Sequence, residues 1–176
     1  MWAMRDAMAP AFDALNAQAQ AMYPVDIEEV SLGGVRCHRV RPAEADRRRP
    51  GALLINLHGG GFVVGSGALV EAIPVAVLTG FEVIAVDYRL APEHPYPAAV
   101  EDVLAVYRAC LAEHDGVQVG LYGSSAGGFL TAQAIARMLD RLRVKFPEQL
   151  ACSRLYRTRL APTTCEVHDA IYHQWC

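Results

Sequence analysis

A chain of 176 residues, 53% apolar and 20% charged, carries enough material for one well-cored domain and too little for two. That balance excludes an intrinsically disordered chain. A net charge of −3 gives no electrostatic footing for nucleic acid. With no run of about 18 apolar residues, stable membrane insertion through a spanning helix is not expected. Arg5, Asp6 and Asp13 interrupt any apolar leader, so a signal peptide is not expected and the address reads as cytoplasmic. The single lysine, Lys145, stands against fifteen arginines, a bias read as genomic base composition.

Five cysteines form no framework spacing. Cys37 and Cys110 fall in strand-like and helix-like patterns and read as buried free thiols. Cys152, Cys165, His168, His173 and Cys176 crowd the C-terminal part, but no close Cys-x-x-Cys pair anchors them. Neither a metal nor an organic cofactor is expected.

Residues 1–24 predict an N-terminal helix. Met4, Met8, Phe12, Leu15, Ala19 and Met22 recur at spacings of three and four, on one helical face, with Pro10 inside. Two roles fit such a helix: packing on the domain, or serving as a lid element whose Met and Phe side chains make an adaptable apolar surface. Val25–Leu32 and Val35–Val40 read as two strands of a hairpin joined by Gly33-Gly34. Residues 41–50 form a charged loop, with Arg47, Arg48 and Arg49 facing solvent.

A nearly continuous apolar run, Ala52 to Leu57, predicts a strand buried on both faces. It ends in His58-Gly59-Gly60-Gly61-Phe62. A helix over Gly67–Leu78, interrupted at Pro74, leads to a second buried strand, Glu82–Val86. After the loop from Asp87 to Pro97, Val100, Val103, Leu104, Tyr107 and Leu111 mark an amphipathic helix. The run Val117–Leu121 is the next strand. It leads into Tyr122-Gly123-Ser124-Ser125-Ala126-Gly127-Gly128, which opens a helix carrying Leu130, Ala134, Met138 and Leu142. A hairpin followed by alternating strands and helices predicts an α/β fold with a mainly parallel sheet. Ligands in such folds bind beyond the carboxyl ends of the strands, where both glycine motifs fall.

Each motif has a chemical rationale. A serine on a sharp strand-to-helix turn needs neighbours without side chains two residues either side, here Gly123 and Gly127. Its hydroxyl then stands at a helix N-terminus, whose free N–H groups favour negative charge. Consecutive glycines after a buried strand let backbone approach a ligand and turn N–H groups toward one point. Gly59 and Gly60, with the N–H of Ala126, are candidates for an oxyanion hole. A phosphate cradle fits less well, because the spacing is not that of a P-loop and no lysine is near.

Together, His58-Gly59-Gly60-Gly61-Phe62, Asp87-Tyr88-Arg89-Leu90-Ala91-Pro92-Glu93 and Gly123-Ser124-Ser125-Ala126-Gly127 resemble the hormone-sensitive-lipase-like family of α/β-hydrolases, largely carboxylesterases and lipases. The resemblance spans residues 25–140, read as the N-terminal portion of the α/β-hydrolase core. It implies that Ser125 is the nucleophile and that Gly59, Gly60 and Ala126 form the oxyanion hole. His58, Gly61, Gly123 and Gly127 support those motifs. The Asp87–Pro97 segment is implied to be structural. The expected partner is a small-molecule ester; nothing in the sequence sets an oligomeric state. Ser124 stands where the family commonly carries an acid, and its side chain is expected to point away from the site.

Residues 141–176 differ in kind. Basic residues outnumber acids there by six to three, whereas residues 1–140 carry ten basic and sixteen acidic residues. No buried strand pattern and no match to the family's acid or histidine motifs appears, so this stretch reads as an atypical, irregular tail. The fold is accordingly expected to be a truncated α/β-hydrolase fold. His168 and His173 follow Ser125 in the required order, with Glu166 and Asp169 nearby, and are weak candidates for the triad's base and acid. The expected function is carboxylic-ester hydrolysis, impaired in this chain. The alternatives are a non-catalytic small-molecule-binding protein of the same fold and a non-functional truncated gene product. An elbow strand lacking its next neighbour is also expected to leave an aggregation-prone sheet edge.

Overall fold

The computed structural model describes residues 2–114 and 117–145. Residues 1–135 form one compact unit, which holds the whole sheet; a second unit, 136–176, is described only over the distal part of the last helix, 136–145. The elements are α1 (Trp2–Met22), β1 (Val25–Leu32), β2 (Val35–Pro42), β3 (Ala52–Leu57), α2 (Ala72–Thr79), β4 (Glu82–Val86), α3 (Ala98–Glu113), β5 (Gln118–Gly123) and α4 (Ala126–Lys145). Among the described residues, no helix is long and apolar enough to cross a membrane.

The five strands lie in the order β1-β2-β4-β3-β5. The β1–β2 hairpin turns at Gly33-Gly34, as its sequence predicts, and β2 pairs antiparallel with β4. Strands β4, β3 and β5 are mutually parallel. The apolar runs of β3 and β4 have their physical cause here. Both strands are internal, and their residues are buried at both parities of the pleat. Val83 and Ala85 of β4 join Val40, Leu69, Ala72, Ile73 and Ala76 in one core cluster under α2. Ile84 and Val86 alternate with them and face the other side of the sheet. Strand β5 pairs only with β3 among the described residues, and its side chains are half-buried or exposed.

Three helices differ from expectation. Helix α2 starts at Ala72, not Gly67. Residues 60–68 are instead closed by turns (Val64 N–H to Gly60 O, Ala68 N–H to Gly65 O). Pro74 then falls in the first helical turn, where its missing N–H removes no helical bond. Helix α1 is rotated relative to expectation, keeping only Phe12 and Ala19 of the expected face inward. Met4, Met8, Leu15 and Met22 are exposed, while Ala19 is buried and Arg5, Phe12 and Asn16 are half-buried. Polar bonds cause the rotation. The Arg5 guanidinium donates to the carbonyls of Val63 (2.6 Å) and Ala91 (2.5 Å) and to the Glu93 carboxylate (2.6 Å). Asn16 donates to Gly67 O and accepts from Leu69 N–H. In α3, Cys110 and Val106 are buried where Leu111 was expected; Leu111 faces solvent.

Cys37 and Cys110 are buried free thiols, as expected. Burial pushes their pKa values up to about 12 and about 11, which disfavours the thiolate form.

Candidate active site

Strands β3 and β5 run parallel with Leu57 opposite Gly123, so the segments leaving them emerge side by side at one end of the sheet. His58 to Gly61 leave β3; Ser124 and Ser125 link β5 to α4. Ser125 has φ +50°, in the left-handed region that a side-chain-bearing residue seldom occupies. The turn is held by Gly127 N–H to Ser124 O (2.8 Å) and Phe129 N–H to Ser125 O (3.2 Å).

The flanking glycines are required by space. A Cβ on Gly123 would overlap the Leu57 carbonyl oxygen and lie 2.8 Å from the Gly127 carbonyl carbon. One on Gly127 would overlap the same Leu57 oxygen and lie 2.8 Å from His58 O. The start of α4 is therefore seated directly on the end of β3. Gly59 closes the arrangement from the other side: its Cβ would stand 3.3 Å from Ser124 O and 3.6 Å from Ser125 Cβ. Gly60 and Gly61 turn the loop at φ +121° and +60°, conformations that favour glycine. No loop or cap hydrogen bond among the described residues uses the N–H of Gly59, Gly60 or Ala126 as donor.

His58 is buried and acts as a spacer. Its ring stacks on Tyr88 at 4.2 Å between centroids, and the Tyr88 hydroxyl donates to His58 O (2.6 Å). Its Nδ1 lies 2.7 Å from Gly59 O. A carbonyl can only accept, so Nδ1 carries the proton. Burial pushes the His58 pKa down, against the pull of that bond, and favours the neutral ring. The Asp87–Pro97 segment braces the loop. Asp87 accepts from Gly67 N–H, and Arg89 pairs with buried Asp102 (2.8 Å).

A cleft of about 240 Å³ opens beside Ser125 and is lined by Phe12, Asn56, His58, Glu71 and Ser124 as well as Gly59 and Gly60. Ser124 does not point away, as its sequence position suggested. Its hydroxyl donates to Glu71 Oε1 (2.5 Å), while Asn56 Nδ2 donates to Glu71 Oε2 (3.3 Å). The cleft thus brings together Ser125, Gly59, Gly60 and His58 from the sequence-derived set. It adds Phe12, which the sequence places on a candidate lid helix, and Asn56 and Glu71, which motif reasoning missed. The last two left a signal: Asn56 interrupts the apolar run of β3, and Glu71 is the one acid between Ala68 and Thr79. Among the described residues, no group of three or more His, Cys, Asp or Glu side chains is placed to hold a metal. His168, His173, Glu166 and Asp169 lie outside the described residues.

A family profile described as the alpha/beta hydrolase fold matches residues 54–169, about two thirds of the chain. The chain belongs to the α/β-hydrolase family. The match begins within β3 and continues past residue 140, the limit suggested by the motifs. This α/β-hydrolase is 38% identical over 120 residues to Lipase 2 of Moraxella sp., covering 61% of the chain and 28% of that lipase. It is 38% identical over 136 residues to hormone-sensitive lipase of Bos taurus, covering 69% of the chain and 18% of that protein. Among solved structures, esterase E25 superposes with a TM-score of 0.67 at 31% identity, covering 78% of this chain and 44% of E25. A hormone-sensitive lipase from a metagenome library gives 0.62 at 33% identity, covering 74% and 46%. The chain therefore spans less than half the length of each of these relatives.

Proposed function

We propose that this α/β-hydrolase is the nucleophile-bearing portion of a carboxylic-ester hydrolase and acts on small-molecule esters. The observation that carries the reading is the left-handed turn at Ser125, pressed against the Gly59 loop at one end of the parallel sheet. In this reading the Ser125 hydroxyl oxygen bonds to the acyl carbon while its proton passes to a base. The carbonyl oxygen, now negative, is held by the N–H groups of Gly59, Gly60 and Ala126. Collapse breaks the bond to the alcohol, which leaves with that proton, and water then releases the acid from Ser125.

His168 and His173, with Glu166 and Asp169 nearby, remain only weak candidates for the base and its orienting carboxylate, and all four lie outside the described residues. Turnover by this chain is expected to be weak, because oxyanion stabilisation without a placed base supplies only a residue of the full rate. The esterases and lipases among its relatives support the ester as the substrate class.

Labelling with a fluorophosphonate, read by peptide mass spectrometry, tests the assignment. An adduct on Ser125 is expected in the natural chain and in Ser124→Ala, and none in Ser125→Ala. An unlabelled natural chain, or an adduct that survives Ser125→Ala, overturns it.

A further inference from the structure

The cleft beside Ser125 has two chemically distinct sides. On one, the proposed oxyanion donors are all N–H groups. On the other, the unpartnered buried polar atoms of the described lining side chains, Asn56 Oδ1 and His58 Nε2, are both acceptors. Asn56 is 1% exposed; its Nδ2 is used on Glu71, and its Oδ1 has no partner among the described residues. Only an N–H can donate to a carboxylate, so this bond also fixes which end of the amide is which. His58 is 4% exposed, and its Nε2 likewise has no partner. With the proton on Nδ1, Nε2 is a lone-pair nitrogen. Glu71 accepts one bond at each carboxylate oxygen, which leaves a lone pair on each.

Asn56 Oδ1 and His58 Nε2 are already shut off from water and unpaired in the free protein, so a bare alkyl arm seated there gains no bond from them, whereas a ligand that brings a donor does. A carboxylate would also face Glu71 directly. A hydroxyl offers one donor. A primary ammonium offers three N–H donors and a charge opposite to that of Glu71, matching three acceptor-bearing side chains. Phe12, Ala68 and Val70 supply apolar wall for a short methylene stem. We infer that the Asn56–His58–Glu71 side of the cleft is a subsite for a primary ammonium group. This inference rests on the ester-hydrolase reading and makes the preferred substrates short amino-alkyl esters, cationic at neutral pH.

Two readouts separate it from the reading beneath it. Saturation-transfer NMR on the full chain, with propylammonium, 1-propanol and propionate as probes, measures occupancy without needing Ser125 to react. Protection of Ser125 from a neutral fluorophosphonate by the same probes places that occupancy beside the serine. Propylammonium is expected to bind saturably and about tenfold more tightly than 1-propanol, the gain of one charge-assisted bond. Propionate is expected not to bind. Glu71→Gln, which keeps shape and removes charge, is expected to bring propylammonium to the level of 1-propanol. Equal binding of the three probes by the natural chain overturns the subsite whether or not the variant folds, as does undiminished propylammonium binding in a folded Glu71→Gln. Specific propylammonium binding without any Ser125 adduct upholds the subsite and removes the nucleophile assignment alone.

Discussion

Substituting Gly127 by alanine adds one methyl group at the most crowded of the described glycines. That carbon would overlap the carbonyl oxygen of Leu57, lie 2.7 Å from the Leu57 carbonyl carbon and 2.8 Å from His58 O. Real Cβ contacts essentially never fall below 3.0 Å, and every atom met here is backbone, so no side chain can rotate aside. Relief requires the first turn of α4 to lift from the end of β3, where Leu57 is fully buried and pairs with Gly123. Overpacking a fitted core costs about 1–3 kcal/mol where side chains can shift. A backbone-on-backbone clash belongs at or above the top of that range, so about 3 kcal/mol or more is expected. Gly128→Ala is the internal control. Its Cβ would stand 3.2 Å from Gly123 O, a tight but tolerable contact, inside a helix that alanine favours over glycine by about 1 kcal/mol. That variant is expected to be within about 1 kcal/mol of the natural chain. Urea unfolding followed by circular dichroism measures both, with midpoints compared at equal slope. If Gly127→Ala unfolds at the midpoint of the natural chain, the steric account of the motif is refuted.

Arg5→Ala is expected to release the N-terminal half of α1 while the sheet stays protected in hydrogen exchange. Counting only the two bonds to the carbonyls of Val63 and Ala91, the local loss is about 1 kcal/mol per bond; unchanged exchange across α1 would contradict the tether. Stability is also expected to depend on pH through His58. Its folded pKa lies below the ordinary histidine value of about 6.5, so the unfolded chain takes up the proton first as pH falls. The contribution is fully present above that value and is lost on descending from about 6.5 toward the folded pKa. His38, which burial shifts in the same direction, adds to the slope. Thermal midpoints between pH 7.5 and 5 should fall on acidification, and His58→Gln should flatten part of the decline. An equally steep profile in that variant would assign the effect elsewhere.

What the chain reveals before folding is what neighbouring residues decide together. The hairpin at Gly33-Gly34, the two buried strands and the turn at Ser125 are local patterns, and each falls where the residues put it. Long-range partnerships leave fainter traces. Glu71 meets Ser124 from 53 positions away, and only its isolation in an apolar stretch hinted at a special environment. Helix α1 shows the opposite failure, a strong signal that misleads. Its Met and Leu side chains have the spacing of a buried face, yet Arg5 and Asn16 find bonds in the loops after β3 and β4 that orient the helix differently. Periodicity scores apolar residues and gives no weight to a polar side chain with a carbonyl waiting for it. The start of α2 moved for a related reason: Gly67 N–H is engaged by Asp87, a partner twenty residues away.

The carbonyl of Leu57 has a wider consequence. That oxygen is the nearest obstacle to a side chain at both glycines of the G-x-S-x-G signature, and the other close atoms are backbone too, not the hydroxyl between them. The signature by which such serines are found is therefore a record of carpentry, of how one helix is jointed to one strand. A descendant of this fold that abandoned hydrolysis would keep both glycines for as long as it kept its shape. Mutational tolerance at Gly123 and Gly127 reports on architecture, and chemistry has to be sought at Ser125 and in the side chains facing it across the cleft.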